Sequence, residues 1–546
     1  MPTPAETPPI EQPKTLPYAV KEFVTSIVIA FAMAFVFRGF VIEGFEIPTG
    51  SMAPTLLGKH ALIHNDDSGY TWTHGPRTAA PGPQIQIDQL EDPLTRTAMS
   101  GGAYKTRWGD RLFVLKYHRG IYEPKRWDVV VFKAPHVHQN YIKRLVGLPG
   151  EQIAFADGDV FYRPGPDSRT DAAGIEAWQD SDWQVARKSE RVQRVMWQPV
   201  FDSSYTPEEA VTYRSPWVTS GSGWTGVRDA RTYTFDRAGS TELVWNHSQR
   251  PITDFTAYNA GGIPRQPSFQ FPVSDIAMSL GYEPTEGAGA AEVTARLYAR
   301  GHEFRAIVSA SEARVEMRAE SPAGIDGAES DWTTLDDADG SFIRPTGITE
   351  IEFWHVDQAL WLFVDGELVA GGPETGAYDS NPAERIEMVT GSDFTEFMST
   401  TREQGKDNSI LADTSYYKRP ELRWQFEGAA FNLHRVRVDR DIHYQITGPT
   451  MSGGGQFATR GAHPDDPALL SDDHFFLCGD NSPNSLDARA WDQEYPWVTS
   501  EIHDGEAHPG LTHRHLVVGR AFVVYLPSPR FGIPPVANTG NMRWVW

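Results

Sequence analysis

Ser51 stands in a short loop that could present its hydroxyl for nucleophilic chemistry. The loop reads Ile47-Pro-Thr-Gly-Ser-Met52, in which Pro48 fixes one backbone angle and Gly50 permits conformations closed to other residues. A serine hydroxyl is a weak nucleophile unless a neighbouring base takes its proton. The sequence therefore indicates a nucleophile at Ser51 only if the chain supplies a base elsewhere.

Lys143 is the candidate base. It lies in the strand-like run Tyr141–Val146, where alternation places Tyr141, Lys143 and Leu145 on one face. Large neighbours can strip water from the ammonium, and desolvation lowers the pKa of a lysine towards the range that a base needs. A lone lysine on a strand is more often an exposed charge, so this interpretation depends on the pairing with Ser51.

A second polar segment lies near the end of the chain, at His474–Arg489 (HFFLCGDNSPNSLDAR). Its candidate site residues are Asp480, Asn481, Ser485, Asp487 and Arg489. In a run rich in glycine, asparagine and proline they could equally be turn formers. Only a position beside Ser51 and Lys143 would favour a chemical role.

An apolar stretch precedes the Ser51 loop. Val20–Ile42 supplies about the twenty residues that a bilayer needs, with Arg38 near one end. Lysines precede this stretch and glutamates follow it, which weakly places the N-terminus in the cytoplasm. We predict a retained single-pass anchor at 20–42 after a cytoplasmic tail at 1–19. A cleaved signal peptide and a buried core helix are the alternatives.

Composition sets the remaining limits. The chain has 546 residues, too many for one ordinary domain, and a formal net charge of −23, which argues against nucleic acid as a partner. Its hydrophobic residues (40%) and aromatic residues (12%) favour β-rich cores. The single cysteine, Cys478, excludes an internal disulfide and a cysteine-based zinc site.

The order of strand signals predicts a mainly β protein in which one domain interrupts another. Short β-branched runs at Asp110–Lys116 and Trp127–Lys133, with the Lys143 run, indicate a first domain part at 43–154, including a loop insertion at 61–108. Strand signals resume near the end of the chain, which indicates a second part of the same domain at 445–546.

Between these parts, residues 155–444 carry many short strand-like runs at regular spacing, which predicts an inserted β-sandwich. Leu360–Val369 contains an Asp-Gly hairpin signal. This hairpin and the run Phe431–Asp439 resemble concanavalin or laminin-G jelly rolls. The sequence names no ligand for the sandwich.

Other polar clusters do not indicate a cofactor. His136 and His138, and likewise His513 and His515, have a spacing that can serve a metal on a strand, but acidic or cysteine partners are not placed nearby in sequence. We interpret both pairs as surface histidines. Aspartates of the sandwich could bind calcium, but they form no compact loop of the EF-hand kind. No metal or organic cofactor is expected.

Four segments together resemble the bacterial type I signal peptidases, the membrane-anchored Ser/Lys leader peptidases of the peptidase S26 kind. The segments are FEIPTGSMAPTL after a membrane helix, RWDVVVFKAP, NYIKRLVGLPGE, and CGDNSPNSLDAR followed by HLVVGRAFVVY. They cover roughly Val20–Leu57, Trp108–Ala154 and Asp473–Leu526, under half of the chain. The resemblance thus implies a signal-peptidase β domain that carries a large inserted domain.

The resemblance implies a role for each matching residue. Ser51 would be the nucleophile, Lys143 the general base, and Ser485 the residue that orients the lysine. The other implied roles are an oxyanion site from the Ser51 N–H and the Thr49 hydroxyl, an ion pair of Asp487 with Arg489, a turn shaped by Asp480 and Asn481, and packing of Met52 beside the nucleophile. The sequence departs from the family pattern at Trp127, where glycine is usual, at Ser482-Pro483 and at Ala488.

The implied function is that of signal peptidase I, a serine endopeptidase that cuts N-terminal signal peptides from exported preproteins through an acyl-enzyme. Its partners would be preproteins with small residues at −1 and −3 and the bilayer of the inner membrane, with the catalytic domain on the extracytoplasmic side. The alternative is a membrane-tethered binding protein, whose jelly roll works on a degenerate peptidase scaffold. Retention of Ser51, Lys143 and Ser485 argues against it. A self-cleaving Ser/Lys protease of the repressor type is disfavoured by the anchor.

Overall fold

The structure is a computed structural model. It describes residues 16–76, 82–117, 123–166, 168–208, 213–260, 270–285, 291–319, 331–403, 410–446, 459–526 and 542–545. The predicted cytoplasmic tail lies almost wholly outside these residues.

Helix α1 spans Leu16–Phe40 and carries the predicted anchor. The segment Val20–Phe40 is long and apolar enough to cross a membrane, and this span is exposed rather than buried among the described residues. The helix ends two residues earlier than predicted, because the chain turns at Val41 and enters a strand at Ile42. Lys116 fixes this exit: its Nζ donates to the Gly39 carbonyl at 2.9 Å. A cation is favourable at the carbonyl end of a helix.

The strands and helices before the sandwich are β1 Ile42–Glu46, β2 Ala61–His64, β3 Thr71–His74, β4 Gln84–Glu91, β5 Ala98–Lys105, β6 Arg111–Lys116, β7 Val129–Lys133, β8 Asn140–Gly147, β9 Glu151–Ala156, β10 Asp159–Pro164, α2 Arg169–Ala172, α3 Ile175–Trp178, β11 Gln184–Val185 and α4 Glu190–Met196. The three strands predicted around Lys143 correspond to β6, β7 and β8. The predicted loop at 61–108 is more ordered than expected, because β2 pairs with β3 and β4 pairs with β5 as two antiparallel hairpins.

The sandwich and the helices near its end comprise β12 Gln198–Asp202, β13 Trp217–Thr219, β14 Trp224–Thr225, β15 Thr232–Phe235, β16 Thr241–Trp245, β17 Ile276–Pro284, β18 Glu292–Ala299, β19 His302–Ser309, β20 Glu312–Ala319, β21 Thr333–Asp339, β22 Thr349–Val356, β23 Ala359–Val364, β24 Glu367–Gly371, α5 Pro382–Thr390, α6 Phe394–Glu403, β25 Glu421–Glu427 and β26 Phe431–Arg440. One sheet has the order β14-β15-β26-β17-β22-β23-β24, with β12 also on β26, and the other has the order β13-β16-β25-β18-β19-β20-β21. Their apolar faces share one core, as in a jelly roll.

The chain then returns to the first domain with β27 Ala468–Leu469, β28 His474–Cys478, α7 Pro496–Glu501, β29 Thr512–His513, β30 Val517–Leu526 and β31 Arg543–Trp544. The first sheet has the order β1-β6-β30-β7-β8-β28-β29, with β31 on β30, and the second has the order β11-β10-β9-β27. Each of the two sheets therefore contains strands from before and from after the sandwich. The mainly β fold with an inserted sandwich is confirmed.

The strands on either side of the predicted boundary at residue 155 pair with each other. Strand β10 pairs with β9 along its whole length, and β9 also pairs with β27 from the far side of the insertion. Side chains of β9, β10 and α4 share a core with β7, β8 and β28. The sandwich itself begins at β12, near residue 198. Strand-like patterns look alike in both domains.

Buried ion pairs lock the sandwich onto the second sheet. The Arg300 guanidinium contacts Asp157, beside the β9–β10 turn, at 2.7 Å and Asp275, before β17, at 2.6 Å. Arg385 of α5 contacts Asp159 at 2.6 Å. These groups are almost completely buried. Removing either partner of such a pair would leave a buried charge without its counter-ion. Because these pairs join the insertion to the second sheet, the insertion is packed against the rest of the protein and is not merely tethered to it.

Candidate active site

The loop that contains Ser51 is held in place at both of its ends. The Ile47 N–H donates to the Asp110 carbonyl at 2.9 Å, in continuation of the β1–β6 pairing. Met52 is fully buried in the core beside Val129 and Val131 of β7. With both ends held, Ser51 lies half-buried at the start of a turn. The predicted packing role of Met52 agrees with this position.

The structure brings Ser51 and Lys143 together. Lys143 Nζ lies 2.6 Å from Ser51 Oγ, although 92 residues separate the two in the chain. Lys143 is placed by the pairing of β8 with β7, where it lies opposite Val130, and it is 2% exposed. A nitrogen and a hydroxyl oxygen at this distance can exchange a proton.

Burial lowers the pKa of Lys143 to about 8, because a buried ammonium loses its hydration. The carboxylate of Asp487 opposes this by favouring the charged amine, while the Arg489 guanidinium adds to the lowering. The amine is therefore neutral in a useful fraction of molecules near neutral pH. That is the property a general base requires.

The predicted ion pair of Asp487 with Arg489 forms behind the lysine. Arg489 Nη2 lies 2.8 Å from Asp487 Oδ2, and the Gly479 N–H donates to the same oxygen at 2.9 Å. Burial by itself would raise the pKa of Asp487, but Arg489 holds it below the ordinary value. Arg489 thus keeps the Asp487 carboxylate ionised near the Lys143 amine.

Asp480 has a partner that sequence reasoning missed. Both of its carboxylate oxygens accept from Arg144, at 2.7 Å from Nε and 2.6 Å from Nη2. Arg144 follows Lys143 in β8, so alternation sends the two cations to opposite faces of the strand. That alternation could have indicated a separate acidic partner for Arg144.

Asn481 binds the backbone of the Ser51 loop directly. Its backbone N–H donates to the Ser51 carbonyl at 3.1 Å, and its Nδ2 donates to the Gly50 carbonyl at 2.8 Å. Gly479 was also missed as a contributor, yet it lies against both Ser51 and Ser485. A side-chain carbon on Gly479 would lie 2.2 Å from Ser485 Oγ.

Two predicted roles are not visible as contacts. Ser485 is 1% exposed, and its Oγ makes no hydrogen bond with any described group, so orientation of Lys143 by Ser485 stays a prediction. Thr49 is exposed two residues before Ser51, and its part in an oxyanion site also stays a prediction.

The backbone conformation at Trp127 shows why glycine is usual at this position in the family. It has a φ of +74°, in the left-handed region where glycine is at ease. The large side chain is nevertheless accepted, since Trp127 is 5% exposed within the core below β8 and its carbonyl accepts from Arg144 Nη1 at 2.7 Å.

The histidine pairs differ from expectation in part. His138 and His515 are exposed, but His136 is half-buried and His513 is buried in a cluster with His474 and His503. The surface interpretation is therefore wrong for His513. Contacts between rings far apart in the chain leave no trace in local spacing.

A separate acidic group brings three carboxylates together away from Ser51. Asp159, Asp275 and Asp357 offer oxygens within 4.8 Å of one another. These aspartates pair with Arg385, Arg300 and Lys188, respectively, which already supply positive charge.

The buried Lys143 amine lies within hydrogen-bond distance of Ser51, which is the arrangement implied by the resemblance to the class of Ser/Lys peptidases. In agreement with this class, residues 20–81 and 95–186 match the family described as signal peptidase, peptidase S26. The match includes Ser51 and Lys143 and continues past the boundary predicted at 154.

Curated relatives agree with the family match. Signal peptidase I of Buchnera aphidicola subsp. Schizaphis graminum is 32% identical over 133 residues, which cover 24% of this chain and 30% of the relative. Signal peptidase I of Rickettsia bellii (strain OSU 85-389) is 28% identical over 150 residues, which cover 27% and 40%. The chain thus spans well under half the length of these curated relatives. The resemblance to the signal peptidases is confirmed for this part of the chain.

Among solved structures, the carbohydrate binding module CBM66 from Bacillus subtilis is similar over 41% of this chain and 96% of its own, at 8% identity and a TM-score of 0.23. A TM-score this low adds no support for the sandwich fold, which rests on the sheet pairing described above.

Proposed function

We propose that this chain is a membrane-anchored serine endopeptidase that removes N-terminal signal peptides from exported preproteins. The observation that carries the proposal is the 2.6 Å contact between Ser51 Oγ and the buried Lys143 amine. The family match over the residues that contain both groups supports it. The helix α1 would hold the enzyme at the extracytoplasmic face of the membrane, where signal peptides emerge.

In the proposed reaction, neutral Lys143 takes the Ser51 proton as Oγ attacks the scissile carbonyl carbon. The C–N bond then breaks, and Lys143 returns the proton to the leaving amine. Water attacks the resulting ester with Lys143 again as base, and Ser51 is restored. The Ser51 N–H and the Thr49 hydroxyl would bind the oxyanion, and preproteins with small residues at −1 and −3 would be preferred.

The proposal is tested with detergent-solubilised protein and a preprotein that has an Ala-x-Ala site. Ser51→Ala and Lys143→Met should each lower the cleavage rate by about 10³-fold or more, because each removes a reacting group. Ser100→Ala and Lys133→Met, which alter an exposed serine of β5 and an exposed lysine of β7, are the matched controls. Equal activity of the wild type and both site variants would contradict the dyad. Absence of cleavage by the wild type on several preproteins would favour the alternative binding role.

A further inference from the structure

One turn of the insertion reaches the nucleophile loop. The single helical turn Ala257–Asn259 belongs to the segment between β16 and β17, and Thr256 caps it by accepting from the Tyr258 N–H at 3.2 Å. This turn lies outside the two family-matched ranges. It nevertheless contacts residues on both sides of Ser51.

The Tyr258 ring fills the space beside the loop. A side-chain carbon on Gly50 would lie 2.3 Å from Tyr258 Cε1, and one on Gly75 would lie 2.4 Å from the same atom. The ring is therefore packed directly on the backbone of both glycines. The Gly75 N–H also donates to the Tyr258 carbonyl at 2.8 Å, and the Tyr258 hydroxyl donates to the Lys59 carbonyl at 3.3 Å.

Asn259 pairs with Asn481 through both amide groups. Asn259 Nδ2 donates to Asn481 Oδ1 at 2.5 Å, and Asn481 Nδ2 donates to Asn259 Oδ1 at 2.9 Å. The two side chains are 4% and 1% exposed, so water does not replace either bond easily. Asn484 Nδ2 also donates to Asn259 Oδ1, at 3.4 Å, which sets the orientation of the Asn259 amide. The pairing then fixes which end of the Asn481 amide carries the donor, since a flip of Asn481 alone would set like groups against each other.

The fixed donor of Asn481 is the group that binds Gly50. Asn481 Nδ2 donates to the Gly50 carbonyl at 2.8 Å, and the Ala53 N–H donates to the same oxygen at 3.0 Å from within the loop. That carbonyl belongs to the same planar peptide as the Ser51 N–H, and in a trans peptide the two groups point in opposite directions. Holding the Gly50 oxygen therefore sets the direction of the Ser51 N–H, the donor assigned to the oxyanion.

We propose that Asn259, supplied by the insertion, is a positioning residue for the oxyanion donor and acts through Asn481 and the Gly50–Ser51 peptide. This inference rests on the proposed function. On this proposal the insertion contributes to the reaction through Asn259, independently of any ligand that the sandwich binds.

The test uses the full-length protein with Asn259→Ala, Asn481→Ala and the double variant. Asn432→Ala is the matched control, because Asn432 also bonds to side chains within the insertion, Thr234 and Glu283. Asn259→Ala should lower kcat about 10-fold with little change in KM, since a misdirected oxyanion donor weakens the transition state and not substrate binding. The double variant should be no slower than Asn481→Ala alone, because both substitutions break one chain of contacts.

A second measurement does not depend on activity. Amide hydrogen exchange of the peptide that contains Ser51 should become faster in Asn259→Ala and stay unchanged in Asn432→Ala. Unchanged exchange in Asn259→Ala would overturn the positioning role even if the enzyme cleaves preproteins. Faster exchange with an unchanged kcat would overturn its catalytic consequence. A wild type that cuts no preprotein contradicts the proposed function, and the exchange result then still decides whether Asn259 holds the loop.

Discussion

Arg144 and Asp480 form a bidentate ion pair, and both side chains are completely buried. Arg144 directly follows Lys143 in the chain. The pair joins β8 to the turn that carries Asn481, across 336 residues of sequence. The two cationic side chains of β8 therefore have different surroundings on the two sides of the strand. The guanidinium on one side is fully paired, while the amine on the other faces a hydroxyl.

Asp480→Ala should therefore destabilise the protein strongly. It leaves the Arg144 guanidinium buried without its carboxylate, and breaking such a pair costs about 3–5 kcal/mol. Thermal and chemical unfolding of the solubilised protein measure the loss. The control is Glu91→Ala, which removes the partner of the partly exposed Arg96 and should cost at most about 1 kcal/mol. Equal effects of the two substitutions would contradict this account.

Gly479→Ala should reduce activity more than stability. The added methyl would meet Ser485 Oγ at 2.2 Å and the Ser51 carbonyl at 2.4 Å, so the nucleophile loop must shift. We expect kcat to fall at least about 100-fold, since small displacements of reacting groups have effects of this size. Gly82→Ala is the control, because nothing lies within 4 Å of the added carbon there. A Gly479→Ala enzyme with full activity would show that the loop tolerates the shift.

The sequence predicted the local parts of this site and missed the long-range ones. Ser51 lies in a recognisable loop, whereas Lys143 was identifiable only through its proposed pairing with Ser51 and the resemblance to the Ser/Lys peptidases. The pairing of Arg144 with Asp480 and that of Asn259 with Asn481 join residues 336 and 222 positions apart. No periodicity records which distant loops meet. The pairing of β9 with β27 likewise joins segments on opposite sides of the insertion, which no local pattern records.

The pH profile of kcat/KM should report on Lys143. We expect an acid limb centred on about pH 8, since burial places the pKa of this base there. Asp487→Asn should move the limb to lower pH, because the Asp487 charge raises the pKa of Lys143. Asp66→Asn, which alters a fully exposed carboxylate, should leave the limb in place. An unmoved limb in Asp487→Asn would mean that another group titrates.

Lys143→Met should make the protein more stable while it abolishes activity. The pKa of Lys143 falls from 10.5 to about 8 on folding, so below pH 8 the folded state carries a charge that the unfolded state hydrates better. Removing it should stabilise the folded state by up to about 3 kcal/mol below pH 8, and the gain should decrease as the pH rises from 8 through 10.5, above which both states become neutral. Thermal unfolding at pH 7 and pH 10 tests this. A destabilised variant at pH 7 would contradict it.

His474 should make the fold sensitive to acid. Its ring contacts His503, with the two Nε2 atoms 2.9 Å apart, and its Nδ1 contacts Ser471 Oγ. Burial, and then the rings of His503, His508 and His513, lower the pKa of His474 to about 3, although Asp473 opposes the shift. Glu494 lies behind His503 at 2.8 Å. An unfolded histidine titrates near 6.5, so protons bind the unfolded state first as the pH falls.

The free energy of unfolding should therefore be insensitive to His474 above pH 6.5 and should decrease from there towards pH 3, by about 2 kcal/mol at pH 5. His474→Gln should reduce the difference between the unfolding temperatures at pH 7.5 and pH 5. His138→Gln, at an exposed position, should leave that difference as in the wild type. Because only the difference between the two pH values is compared, a uniform loss of stability in His474→Gln does not affect the result. An undiminished difference in His474→Gln would show that acid acts on the fold through other groups.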